Sequence, residues 1–346
     1  MKTQDLKMII LLVCCTLILT LTGCGQQNSV PPKQPPSAAA ADTTYYPVTV
    51  TQIDVLGNPS TYTYKKAPTR VVITHPGATE LLLELGLDDR ILSTIAPYGA
   101  PLERLAQRYA KLNIMQATYI PSLEEVLEMQ PDMLIGWSHH FSETGLGDEK
   151  TWHERGVATI IMPNSLSKNR TTFDDTVYAY INHIGEVFGI QDKTDQYIAH
   201  FKDRLGRVEK AVKDVPQKKT VMVLQDHRNG QFSLYDNSYL INLMIITAGG
   251  KPIADDVTTL VSAEKILSYN PDVILFVSTN PDDSTKDLTD LEAIAHLKSI
   301  SELKSMQAIC KDHIINLPFF TVNSGGARTL DAIEKIAYLL YPERFK

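Results

Sequence analysis

His75, Tyr98, Trp137, His139 and His140 in the first half of this 346-residue chain, and His227, Arg228, Tyr235, Asn323 and Arg328 in the second, each follow a short apolar run or open the segment after one. Aromatic rings stack on flat ligands, guanidinium groups pair with carboxylate or catecholate oxygens, and imidazoles ligate metals. Ser138, Asn164, Ser278, Thr279, Asn280, Phe319, Phe320 and Thr321 stand in equivalent places. Together these groups suit a bulky, partly aromatic, anionic metal complex. Singly, each has an ordinary reading: Trp137 packs a boundary between lobes, Tyr98 and Tyr235 are surface rings, and Arg328 lies on a solvated helix face.

A sharper chemistry is open to His75, His139 or His140, and His227, which together with a carboxylate would make a bare zinc or manganese site. Against it, these histidines lack metal-ligand spacing, and neighbours such as His139 and His140 point in opposite directions on an extended segment. An enzyme is the rival from another class. The chain has no G-x-S-x-G, H-E-x-x-H, Walker A or G-x-G-x-x-G frame, which leaves a dispersed site, for instance one inserting a metal into a tetrapyrrole.

A second kind of chemistry is written twice. PSLEEVLEMQPDMLIG, residues 121–136, returns as VSAEKILSYNPDVILF, residues 261–276, with Ser122, Glu124, Leu127, Pro131 and Asp132 matched by Ser262, Glu264, Leu267, Pro271 and Asp272. Each copy predicts a short serine-capped helix, a Pro-Asp turn and a buried strand. Leu123, Val126 and Leu127, like Ala263, Ile266 and Leu267, form the inward face. A carboxylate in a helix's first turn gains about 0.3–1 kcal/mol from the dipole there. Yet Glu125 and Glu128 become Lys265 and Ser268 in nearly the same field, so position two of the helix is singled out.

The elements that must hold these residues alternate. Tyr45–Tyr64 reads as a β-hairpin around Gly57-Asn58-Pro59. VVIT (71–74), ILSTI (91–95), MLIG (133–136) and TIIM (159–162) are unalternating apolar runs between helical stretches, as in buried parallel strands with crossover helices. Residues 172–190 predict a helix with Val177, Ile181, Ile184 and Phe188 on one face and Thr172 with Asp175 at its start. A further helix over 193–213 precedes VMVLQ (221–225), VILFV (273–277) and IINL (314–317). The fold class is thus α/β, two Rossmann-like lobes over 45–171 and 191–346 with mostly parallel sheets, joined by a single long helix over 172–190. Ligands of open α/β sheets bind beyond the carboxyl ends of the strands, which places the cleft between the lobes.

The chain opens differently. Lys2 and Lys7 precede an apolar run from Met8 to Leu21, ending in Leu21-Thr22-Gly23-Cys24. The run is short of the roughly 20 residues a membrane span needs, and it has the form of a secretory signal over 1–23. Its end resembles a lipobox, the signal for attachment of diacylglyceryl to the Cys24 thiol. Residues 25–44 read as a disordered tether of up to roughly 65 Å. Cys14 and Cys15 leave with the signal and only Cys310 remains in the body, so no intramolecular disulfide forms. Formal net charge is -7, and no basic patch favours a nucleic acid.

The lipobox, the tether, APTRVVITHPGATELLLELGLDDRIL (67–92), the paired SLEEVLEMQPD and SAEKILSYNPD segments, the joining helix and NSGGARTLDAIEKIAYLL (323–340) together resemble the substrate-binding lipoproteins of ABC importers for ferric siderophores, haem and cobalamin. The resemblance covers essentially the whole body after the tether. It implies a monomeric, non-enzymatic receptor with no cofactor of its own, lipid-anchored on the extracytoplasmic face of the cell membrane. The ligand implied is an Fe(III)-siderophore complex, with haem or cobalamin as alternatives, delivered to an ABC permease dimer and its ATPase. It further implies that one glutamate on each lobe meets permease arginines, and these match Glu124 and Glu264. Small lobe closure follows from the joining helix of the family.

Overall fold

The alternating stretch after Tyr45 pairs with itself. β1 (Val48–Ile53) and β2 (Pro59–Tyr64) form an antiparallel hairpin with Val48 opposite Tyr64, and its inward residues Val50 and Tyr64 are buried in the main core. The computed structural model describes residues 45–117, 119–166, 172–254 and 258–345. The expected signal over 1–23, Cys24 and the tether lie outside them.

Strands and helices then alternate: β3 (Val71–Ile73), α1 (Pro76–Glu84), β4 (Ile91–Thr94), α2 (Glu103–Tyr109), α3 (Leu123–Glu128), β5 (Met133–Gly136), α4 (Glu149–Glu154) and β6 (Ala158–Ile161). The sheet order is β4-β3-β5-β6, with every pair parallel. All residues of β3, β5 and β6 are buried, because both faces of the sheet are covered, and this is why their sequences run apolar without alternation. β4 adds to one side of β3 and β5 to the other. The reversal opens a crevice between the carboxyl ends of β3 and β5.

The connection to the second lobe starts with Thr172, whose hydroxyl accepts from the Asp175 amide at 3.1 Å and donates to the Asp175 carboxylate at 2.7 Å. Asp174–Tyr178 winds as a π turn and runs into α5 (Ala179–Phe188). The joining helix is therefore not uniform along its length, since a π turn widens the coil locally. Its apolar face, Val177, Ile181, Ile184 and Phe188, is buried. α6 (Gln191–Val212) folds back against it.

The second lobe comprises β7 (Thr220–Asp226), β8 (Phe232–Leu234), α7 (Leu240–Thr247), β9 (Lys251–Pro252), β10 (Thr258–Val261), α8 (Ala263–Leu267), β11 (Val273–Ser278), α9 (Asp290–Ser299), α10 (Gln307–Cys310), β12 (Ile314–Pro318), α11 (Phe319–Asn323) and α12 (Arg328–Leu340). β7, β11 and β12 are parallel, whereas β8 and β10 extend the other side antiparallel. One apolar cluster runs from Ile73, Met133 and Ile160 through Val177 and Ile184 to Val223, Leu275 and Leu317. Both lobes thus share a core across the joining helices.

Two glycines let the lobes touch through backbone. A Cβ on Gly77 would sit 2.5 Å from the Ser324 carbonyl oxygen, and one on Gly325, held at φ +61°, would collide with the Asn164 side chain. Asn164 Nδ2 donates to the Asn323 carbonyl at 2.9 Å beside this contact.

Candidate ligand-binding site

The crevice predicted by the strand order is filled with rings. His75 lies two residues beyond β3 and caps α1, its Nδ1 accepting from the Gly77 amide at 3.1 Å. Trp137 follows β5 and stacks on His75 with centroids 4.1 Å apart. The turn Ser138–His140 carries His139 and His140, whose rings meet edge to face at 4.6 Å. His140 Nδ1 pairs with Thr74 Oγ1 at 2.8 Å, and His139 Nε2 with the Tyr119 hydroxyl at 2.6 Å. Tyr98, from the segment after β4, closes the group, 5.3 Å from His75 and 6.0 Å from Tyr119.

The cluster carries almost no charge. Burial, reinforced by His140 and then His139, holds His75 well below the usual imidazole range, and burial with His139 lowers His140 to about 3. Burial also lowers His139. Each ring is neutral near pH 7 and offers a donor or acceptor nitrogen without a positive charge. The Nε2 atoms of His75 and His140, Trp137 Nε1 and the Tyr98 hydroxyl are buried with no protein partner. Buried polar atoms without partners are costly and rare, and here four gather at one place.

Across from Tyr98 the second lobe supplies the facing wall. Ala96, Pro97, Tyr98 and Tyr119 face Ser278, Thr279, Asn280, Lys286, Asp287 and Phe319 around a cleft of ≈ 280 Å³. Phe319 and Phe320 lie 6.4 and 6.3 Å from Tyr98. Larger grooves exist elsewhere, one of ≈ 370 Å³ between α1, α2, α6 and α12 and one of ≈ 410 Å³ beside β2. The first is lined by the Arg104–Glu84 and Arg204–Asp331 ion pairs. Position at the carboxyl ends of both sheets, not volume, selects the cleft.

Several expected ligand residues are placed otherwise. Arg328 does not offer a free guanidinium: it is buried in a bidentate pair with Glu80 of the other lobe, at 2.7 Å from each carboxylate oxygen. Tyr235 packs into the core, its hydroxyl bonded to Gln225 at 2.7 Å, so it is no cleft ring. Asn323 spends its amide on the Phe319 carbonyl. His227 sits exposed on the β7–β8 hairpin, bonded to Ser233, apart from His75 and His139. Arg228, beside it at φ 60°, reaches the Thr279 carbonyl at the rim at 3.4 Å. The bare-metal set of His75, His139 and His227 is therefore not assembled, and no group of three or more His, Cys, Asp or Glu side chains among the described residues could hold an ion.

Tyr119, Lys286 and Asp287 were not anticipated. They lie in connections with no periodicity to reveal them. Glu80 did leave a signal, since an acid placed amid the apolar run ATELLLEL is seldom buried without a partner.

Glu124 and Glu264 are exposed in the first turns of α3 and α8. A helix that precedes a parallel strand runs against it, so each first turn lies at the carboxyl-end side of its sheet, the side of the cleft.

A family described as periplasmic binding protein matches residues 71–320. The chain belongs to this family. This periplasmic binding protein is 25% identical over 310 residues to the ABC transporter substrate-binding lipoprotein YvrC of Bacillus subtilis, covering 88% of each chain. It is 23% identical over 204 residues to the iron(3+)-hydroxamate-binding protein YxeB of the same organism, covering 55% of this chain and 58% of that one. Among solved structures, a periplasmic binding protein from Veillonella parvula superposes with a TM-score of 0.71 at 25% identity, over 87% of this chain and 93% of the other. Members of the family are two-lobed binders without catalysis, so this periplasmic binding protein is not an enzyme.

Proposed function

We propose that the protein captures a ferric siderophore-type complex in the cleft between its lobes and delivers it to an ABC permease and its ATPase. The observation that carries this reading is the wall of rings formed by Tyr98, Tyr119, Trp137 and His139, backed by the buried neutral His75 and His140 and facing Phe319 across the seam. Such a surface stacks on the organic envelope of a chelate and leaves the metal to the chelator's oxygens. The similarity to a substrate-binding lipoprotein and to an iron(3+)-hydroxamate-binding protein supports the same ligand class. Arg228, beside the Thr279 carbonyl, and Lys286, paired with Asp283 at 2.8 Å, are the cations at the rim that an anionic group on the ligand would meet.

The anchor belongs to the same reading. Residues 1–23 are removed as a signal, Cys24 is lipidated, and the tether to residue 44 lets the body search the extracytoplasmic membrane surface as a monomer. Among the described residues no helix is long and apolar enough to cross a membrane. Glu124 and Glu264, one per lobe on the cleft side, dock on permease arginines, where two separated charge pairs set orientation and on-rate.

A fluorescence titration tests the reading. Trp137 stacks on His75 in the cleft, while Trp152 is buried and donates to the Leu146 carbonyl. One ferric chelate, or haem, from a panel should give a saturable one-to-one quench that Trp137→Phe removes. Quenching by free zinc or manganese alone would sink the siderophore reading. In cells, Glu124→Lys with Glu264→Lys should abolish uptake and leave the titration unchanged; intact uptake would remove the docking assignment.

A further inference from the structure

The carboxylate of Glu80 and the guanidinium of Arg328 come from opposite lobes, and side-chain exposures of 0% and 6% leave no room for a ligand to reach either. Both are also fully engaged. Besides the two bonds between them, Glu80 Oε1 accepts from the Leu102 amide at 2.9 Å, and Arg328 Nη2 donates to the Ala100 carbonyl at 2.5 Å. Arg328 Nη1 reaches Thr321 Oγ1 at 3.4 Å, and the guanidinium lies 3.8 Å over the Phe320 ring.

These bonds converge on residues 96–102, the segment that carries Tyr98 from β4 to α2. Asp287 of the second lobe adds a third hold: its carboxylate lies against Gly99, leaving no space for a Cβ there. Tyr98 itself rests on Phe319 and Phe320. A segment of the first lobe is thus gripped by Arg328 and Asp287 of the second, and by Glu80 beneath it.

We propose that Glu80 and Arg328 are positioning residues for ligand capture, which set Tyr98 at the cleft by clamping residues 96–102 from both lobes without touching the ligand. This rests on the cleft being the ligand site. A pair that served stability alone would be replaceable by apolar side chains of similar size with no other effect, because buried ion pairs gain little net over such replacements. A clamp is not replaceable in that way, since the bonds to Ala100 and Leu102 go with it.

The test compares wild type, the double variant Glu80→Leu with Arg328→Met, and Arg328→Lys, which keeps the charge but loses the bidentate fork. Hydrogen exchange over residues 96–102 and quenching of Trp137 by ferric desferrioxamine B and by a ferric triscatecholate are measured well below each melting temperature. In whichever variants fold, the expected result is at least tenfold faster exchange of that segment and at least tenfold weaker binding of whichever chelate wild type takes. Arg328→Lys retains the buried charge balance and supplies the answer if the double variant does not fold. Wild-type exchange, or wild-type affinity, in the folded variants would overturn the proposal. Wild type that binds no chelate would instead overturn the reading of the cleft, and would be visible before any variant is made.

Discussion

The two copies of the repeated segment fold alike at their ends and differ in the middle. In both, the residue before proline is left-handed, Gln130 at φ 49° and Asn270 at φ 44°. In both, the aspartate after proline ties down the start of the neighbouring strand: Asp132 accepts from the Thr69 amide and hydroxyl and the Arg70 amide, and Asp272 from the Thr220 amide and hydroxyl. The helices between cap and turn diverge. Ser122 caps α3 through the Glu125 amide at 3.1 Å, whereas Ser262 makes no such bond and pairs with Glu264, holding that carboxyl below its ordinary range. Leu127 packs against the core, but Leu267 is 37% exposed, against expectation. The Pro-Asp turn is what each αβ unit needs. The helix surface is left to vary, and a glutamate persists on it in both lobes without a structural duty common to the two.

The lobes differ most in how they treat histidine, and acid should expose that difference. His75 and His140 are wholly buried in the first lobe, and His183, on the joining helix α5, is lowered by burial to about 4. The second lobe keeps His227 and His313 exposed. A group whose folded pKa lies below its unfolded value of about 6.5 binds protons first in the unfolded chain, so its contribution is complete above pH 6.5 and is lost as pH falls. Between pH 7.5 and 5 the loss is about 2 kcal/mol each for His140 and His183, and His75 adds to it in the same direction. Urea unfolding at the two pH values should show it, and His140→Gln should reduce the difference by about 2 kcal/mol. Equal stabilities at pH 7.5 and 5 would contradict neutral burial.

The aspartate staples predict a smaller asymmetry. Asp132 holds three donors and is partly buried, whereas Asp272 holds two and is exposed. Hydrogen bonds to a charged group are worth about 1.5–3 kcal/mol where solvent does not compete. Asp132→Ala should therefore cost roughly 3 kcal/mol and Asp272→Ala roughly 2 kcal/mol, read as shifts in urea midpoint at constant slope. A reversed order would mean that exposure is a poor guide to these turns.

The same contrast shows what could be read before the structure. The strands of the first lobe were legible because burial on both faces leaves an uninterrupted apolar run. β8, β9 and β10 were not, being two to four residues long at an antiparallel flank where pattern and packing part company. Among the expected ligand residues, those following β3, β4 and β5 lie at the crevice, whereas His227, after β7, is carried away on the antiparallel hairpin. Arg328 was misread because its partner Glu80 stands 248 residues away, and only the fold reveals that the charge is already taken. The π turn at Asp174–Tyr178 has no signature in the apolar spacing, which remains helical through it.

The serines test the comparison most finely. Ser122 and Ser262 occupy matched positions with similar extended backbones, φ -69° ψ 152° and φ -80° ψ 166°, so propensity alone assigns them equal worth. An N-cap that accepts a helix amide is worth about 1 kcal/mol against alanine. Ser122→Ala should lose about that much, because the Glu125 amide is left without its side-chain acceptor. Ser262→Ala removes no cap and should leave stability unchanged within error, but it should let the Glu264 carboxyl titrate closer to its ordinary range, as followed by carboxyl NMR. Equal losses from the two substitutions would show that Ser262 caps α8 in solution, and the two segments would then differ only in their surface charges.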